Sequence, residues 1–182
     1  MIRWLLWGCA GLVLGGVIHI AVILGLPSLT STVAWDKVTA LGAVPGPVVL
    51  PAIKPGEPNP LRLDPELAYA VCQLDLRKGP GTVAGTLPQS FWSVAVYNRS
   101  GTVVYSTTNR DGLGTSLDLG LFDPAQTRLL AEQKLDVADG LLIVEANDDD
   151  VMVVIRLAPP QSVMRPRYEK ALAALKCGNI PT

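Results

Sequence analysis

The stretch "FWSVAVYNRSGTVVYST", residues Phe91 to Thr107, decides what kind of body this chain builds. Trp92, Val94 and Val96 alternate with Ser93, Ala95 and Tyr97, the period of two that a strand with one buried face requires. Between the arms, in Asn98-Arg-Ser-Gly101, asparagine opens a type I turn and glycine takes positive φ without a Cβ clash. A β-hairpin is expected here, and the flanking segments must extend and cover it.

Downstream, Thr115 to Leu121 alternates again, with Leu117, Leu119 and Leu121 on one face. Asp123-Pro124 is a capped helix start leading into "AQTRLLAEQ". Leu141 to Ala146 leads through Asn147-Asp-Asp-Asp150 into Val151 to Leu157, which reads as a second hairpin. Its "VMVVI" is apolar on both faces, the mark of a central strand covered on each side. Pro159-Pro160 ends the sheet. In a last helix Pro166 suits the first turn, Tyr168, Ala171, Leu172 and Leu175 form one apolar stripe, and Gly178 is a stop. Upstream, Asp64-Pro65 repeats the helix start for a short "PELAYAV", before Gly79-Pro80-Gly81 breaks the chain; Cys72 to Leu76 extends that helix or opens a strand. The element order predicts an α+β fold, one small domain with an antiparallel or mixed β-sheet and packed helices.

The N-terminus carries most of the apolar excess behind the 49% hydrophobic composition. Trp4 to Leu26, "WLLWGCAGLVLGGVIHIAVILGL", contains no formally charged residue. As a helix it is roughly 34 Å long, enough for a hydrocarbon core of ~30 Å. A cleaved signal peptide is the rival, but its apolar region runs to only about 7–15 residues. Thr32-Val-Ala34 is a late, poor cleavage site, and Gly8-Cys9 leaves a lipoprotein signal only Trp4 to Trp7 as its apolar region. An uncleaved transmembrane anchor is expected. Arg3 and the α-amino group precede it, and no basic residue follows until Lys37, so the N-terminus is expected in the cytoplasm and the body outside an inner membrane. Within the span Gly11 and Gly15 form a GxxxG pair that His19 continues, a candidate helix-packing face. The chain thus divides into residues 1–27, cytoplasmic N-terminus and anchor; 28–61, a short helix (Ser31 to Leu41) and a proline-rich connector; and 62–182, the exported domain. Val44 to Pro60 holds six of the fifteen prolines, which forbids a regular helix and suits a spacer or a strap over the body, with Val48, Val49, Leu50 and Ile53 favouring the strap.

Topology frames the cysteines. Cys9 lies in the bilayer, while Cys72 and Cys177 reach an oxidising compartment at opposite ends of the domain and suit a structural disulfide joining the last helix to the first. The alternative is two buried thiols that never meet.

The chemistry-bearing residues are sparse. His19 is the only histidine, so the exported body has no Ser-His-Asp or Cys-His arrangement and no histidine-ligated metal. Net charge is −1 without a basic block, which gives nucleic-acid binding no support. Asn147 with Asp148, Asp149 and Asp150 offers oxygen ligands to Ca²⁺, but an acidic hairpin tip that keeps an edge solvated is the preferred reading, and an EF-hand's glycine and glutamate are missing. Asp64, Glu66 and Asp75 are a candidate acid/base set, and Trp92, Tyr97 and Tyr105 either line a pocket or fill the core. Asn109 to Gly112 reads as a turn with an Arg–Asp pair; Gly112-Leu-Gly114 is too short for a dinucleotide site. Asn98-Arg-Ser100 matches a glycosylation sequon that matters only in a eukaryotic secretory host.

Asp64-Pro65, "AVCQLDL" with Gly79-Pro80, "FWSVAVYNRSGTVVYSTTNR", the leucine strand before "DPAQ" and a terminal helix ending in Cys177 together resemble a bacterial family known as domain of unknown function 1254, in a small single-span form, over about residues 62–178. The resemblance implies an envelope location and a β-rich fold, and it brings no catalytic residues. The expected function is therefore that of a membrane-anchored envelope module for binding or assembly, with membrane lipid and another envelope or membrane protein as partners and no cofactor. Two alternatives stand beside it: a small-molecule-binding or hydrolytic domain using carboxylates and tyrosines in a sheet-lined cleft, and a transmembrane helix that is itself the working element of a complex.

Overall fold

The computed structural model describes residues 1–40, 42, 46–111, 114–132 and 140–180, with backbone only for 27–34. Helix α1 runs unbroken from Ile2 to Thr39. The separate helix expected from Ser31 is thus a continuation of the apolar one, and Leu41 lies outside the described residues. Ile2–Leu26 has the length and composition of a membrane span or a signal sequence, and its apolar side chains are exposed.

The body is two facing sheets with helices packed at their margins, an α+β architecture as expected. The first sheet is antiparallel throughout. It contains β1 (Val48–Val49), β2 (Ala68–Asp75), β4 (Trp92–Asn98), β5 (Val103–Thr108) and β8 (Asp150–Leu157), in the order β1-β2-β8-β4-β5. The second contains β3 (Gly81–Thr86), β6 (Ser116–Phe122), β7 (Leu142–Glu145) and β9 (Lys176–Asn179), in the order β7-β6-β3-β9. Its β6–β7 pair is parallel and the others antiparallel, so the second sheet is mixed. Between the sheets one core gathers Cys72, Leu74, Trp92, Val94 and Val153 from the first and Val83, Leu117, Leu119 and Leu121 from the second. Tyr168 and Leu172 of α3 (Arg165–Ala173) join it.

The Phe91–Thr107 hairpin forms as β4 and β5. Asn98 Oδ1 accepts from Thr102 N at 2.8 Å and from Ser100 Oγ at 2.8 Å, and Gly101 takes φ 78°. Helix α2 (Pro124–Glu132) opens on a reciprocal cap in which Gln126 N donates to Asp123 Oδ1 at 2.8 Å and Asp123 N to Gln126 Oε1 at 3.0 Å. The strap reading of the connector also matches: Val48 and Val49 pair with Val71 and Ala70, and Leu50 is buried.

Three expectations are corrected. Asp64-Pro65 does not start a helix; Asp64 Oδ1 accepts from Glu66 N at 2.8 Å in a turn, and the chain goes directly into β2. Ala68, Ala70, Cys72 and Leu74 face the inter-sheet core while Tyr69 and Val71 face outward, so both faces are apolar and pairing with β1 and β8 overrides local helix preference. The second hairpin does not form. β7 lies at the edge of the second sheet and β8 in the middle of the first, because a strand apolar on both faces needs cover on both sides; residues 147–149 carry the chain across. Finally, the last helix ends at Ala173, and Cys177 and Gly178 sit in strand β9, where Gly178 is not a helix stop.

Cys72 and Cys177 form a disulfide with Cα atoms 6.2 Å apart. It joins β2 to β9, and hence one sheet to the other, rather than first helix to last. Cys9 is a free, exposed thiol on α1.

Candidate binding groove

The outer face of the first sheet is where the sequence departs from an ordinary solvent-facing surface. Register places its side chains in rows across three strands. Gln73 lies beside Met152 and Met152 beside Tyr97; Val71 lies beside Val154 and Val154 beside Ala95; Tyr69 lies beside Arg156 and Arg156 beside Ser93. Of the four positions that β8 turns outward, Met152 and Val154 are thus apolar, Arg156 is a cation, and Asp150, at the start of the strand, is an acid paired with Arg77 and Arg99.

This face is covered only in part. The last turns of α1 bring Trp35 and Val38 against it, and the connector brings Leu50, Leu61 and Leu63. Val38, Tyr69, Val71 and Met152 are buried. Helix and sheet are tied by Gln73 Nε2 donating to Thr39 Oγ1 at 2.8 Å, and Lys37 Nζ reaches Pro60 O at 3.4 Å. Asn59 fixes the connector's return, accepting from Leu63 N at 2.8 Å and donating to Leu63 O at 2.7 Å. What the cover leaves open is a groove of about 360 Å³, within the usual size range of small-molecule sites.

The groove is apolar along its floor and basic at its margin. Its charged lining residues are Arg62, Arg99 and Arg156, and none of the described lining residues is acidic. Arg99 is neutralised by Asp150, with Nη1 3.0 Å from Oδ2. Arg156 is half-buried and donates to the Tyr97 hydroxyl at 3.2 Å; neither it nor Arg62 has an ion-pair partner among the described residues. Arg62 also holds φ at 51°, the one non-glycine residue with positive φ among those described. Such backbone costs on the order of 1–3 kcal/mol and persists only where its surroundings hold it; here the Asn59 bonds to Leu63 clamp the next residue.

The remaining candidate residues disperse. Tyr97 lines the groove, whereas Trp92 points into the core with its Nε1 donating to Gly114 O at 3.2 Å, and Tyr105 packs against that core. Asp64 and Asp75 lie at opposite ends of β2, and Glu66 is exposed, so they form no acid/base set. Asp75 is bound instead to Arg77 at 2.7 Å, and that guanidinium's hydrogen bond holds its carboxyl below the usual carboxylate range. Asp150, from the acidic loop, is gripped by Arg77 at 3.3 Å and by Arg99, two cations that oppose entry of a third. Asp111 is satisfied not by Arg110 but by Thr108 N at 2.8 Å and Thr107 Oγ1 at 2.9 Å, which lower its pKa in that order; Gly112 and Leu113 lie outside the described residues. Gly11 and Gly15 face open space, where an added Cβ meets nothing within 4 Å, and His19 is exposed on the same helix.

Sequence reasoning missed Arg156 and Arg62. The signal for Arg156 was present: along "VMVVIRL" the outward positions are Met152, Val154 and Arg156, a cation ending an apolar stripe. Nothing comparable marked Arg62, whose place depends on how the connector folds back.

No protein-family model matches the chain, and no curated protein matches it in sequence. Among solved structures, the VPA0106 protein from Vibrio parahaemolyticus is similar with a TM-score of 0.49 and 9% identity, over 63% of this chain and 28% of that one. An uncharacterised protein from Burkholderia cenocepacia is similar with a TM-score of 0.46 and 15% identity, over 87% of this chain and 42% of that one. The chain therefore spans less than half the length of either.

Proposed function

We propose that this chain is a membrane-tethered binding module, held at the outer surface of an inner membrane by α1, whose working surface is the groove at the foot of that helix. The observation that carries the reading is an apolar sheet face left partly uncovered where α1 meets the body. An apolar helix with exposed side chains supports the tether, and the Cys72–Cys177 bridge supports an oxidising location. We read the chain as a small, single-span relative of the domain of unknown function 1254 family, on the motifs quoted above. The carboxylate-based alternative finds no support in this groove, whose charged groups are arginines.

Full-length protein in phosphatidylcholine nanodiscs, photolabelled with a neutral diazirine-bearing C16 alcohol, tests the reading. Peptide mapping is expected to find label on segments 61–71 and 150–156 as well as on the anchor. Val154→Trp, which fills the groove floor, is expected to remove the body label and leave the anchor label. Labelling confined to the anchor in both proteins would contradict the proposal.

A further inference from the structure

Resting on that reading, we infer that the groove's occupant is a single-chain amphiphile with a carboxylate head, a long-chain fatty acid anion. Its chain lies along Val71, Met152 and Val154, and its head is held by Arg156 and Tyr97.

Three observations converge. The first is charge: Arg156 and Arg62 line an apolar groove without counter-ions among the described residues. A half-buried guanidinium without an anion is an expensive arrangement that a bound anion relieves. The second is geometry of donors. The Tyr97 hydroxyl accepts from Arg156 Nη2 at 3.2 Å, so its own proton is free to donate, and the guanidinium keeps further N–H groups. A phenol O–H beside a planar guanidinium suits a carboxylate, which takes both as charge-assisted bonds. The third is position and size. Trp35, on the groove wall, lies roughly 14 Å along the helix beyond Leu26, about 7 Å outside the headgroup layer and within the reach of a single-chain amphiphile leaving the bilayer. A volume of 360 Å³ is at the small end for binding sites and suits one aliphatic chain rather than two.

The test compares two photoprobes of identical skeleton, a diazirine-bearing C16 carboxylic acid and the corresponding alcohol, on the full chain in phosphatidylcholine nanodiscs. Label on the anchor peptide in each sample reports the probe's concentration in the bilayer and normalises the groove label. The acid is expected to reach half-maximal groove labelling at a concentration about ten- to a hundredfold lower than the alcohol, the range for a charge-assisted hydrogen bond. Shortening unlabelled competitor acids is expected to weaken competition about fourfold per methylene. Arg156→Gln and Tyr97→Phe should erase most of the acid preference and keep the alcohol label. Arg62→Gln, at an exposed site where folding is not at risk, should reduce the preference without abolishing it. Equal groove labelling by acid and alcohol would overturn the anionic head while leaving the groove reading intact. Absence of groove label from both would overturn the two together.

Discussion

Replacing Cys177 by alanine isolates the contribution of the disulfide that joins the two sheets. Cys72 is wholly buried, so changing it would add a packing defect, whereas Cys177 is half-buried on the edge strand β9. The bridge spans 105 residues of sequence, and the chain-entropy model gives about 4.8 kcal/mol at 25 °C for a loop of that size. Set against a typical total of about 5–15 kcal/mol, this is a third of the stability or more. For a domain of this length the loss corresponds to a fall in Tm of roughly 15–20 °C. Thermal unfolding of the full chain in nanodiscs, followed by near-UV circular dichroism, measures it; wild type with excess reductant should melt with the variant. Hydrogen exchange adds a local readout, since β9 is a four-residue edge strand and its amides against β3 should lose protection first. A variant melting within about 2 °C of wild type, with reductant changing neither, would refute the claim that the bridge holds the two sheets together.

Three further outcomes are expected. Asp111→Asn removes an acid-sensitive turn: because the folded pKa is depressed, its stabilisation is complete above the ordinary carboxylate value of about 3.9 and is lost as pH falls through the lower folded value. The stability gap between wild type and variant, measured by urea titration, should therefore be full at pH 6 and shrink as pH falls below the ordinary carboxylate value of about 3.9. Arg165→Leu cuts the bonds from α3 to Pro65 O (2.7 Å) and Leu67 O (2.8 Å) and the pair with Glu169 (2.9 Å), and should cost about 1.5–3 kcal/mol in the same assay, with lysine restoring little because it lacks the fork. Gly81→Val forces a side chain against Leu74 Cδ1, which lies 3.0 Å from the position of an added Cβ, and Leu76 Cδ2, at 3.3 Å, and should cost about 1–3 kcal/mol.

How much of this was legible in the sequence depended on whether a local pattern had one structural solution. The Phe91–Thr107 hairpin did, because its alternation and its turn chemistry agreed; so did the leucine strand and the Asp123 cap. β8 was legible as central because no exposed strand tolerates "VMVVI". Its partners were not: short distance along the chain suggested β7, but pairing is decided by which sheet leaves a gap for a doubly covered strand. Asp64-Pro65 and Asp123-Pro124 carry the same local signal, and only the second heads a helix, since the residues after Asp64 are recruited into a sheet. The groove was half visible. Tyr97 and the strap pointed towards it, whereas Trp35, Val38 and Arg62 reach it only through the docking of α1 and the return of the connector, contacts that no local pattern encodes.

The account rests on the body lying across the membrane from the N-terminus. Ser100 is exposed at the tip of the β4–β5 turn, so Ser100→Cys can be probed with a membrane-impermeant maleimide on spheroplasts and again after lysis. Labelling of intact spheroplasts equal to that of the lysate is the expected result. Labelling that appears only after lysis would put the groove on the cytoplasmic side and contradict the account.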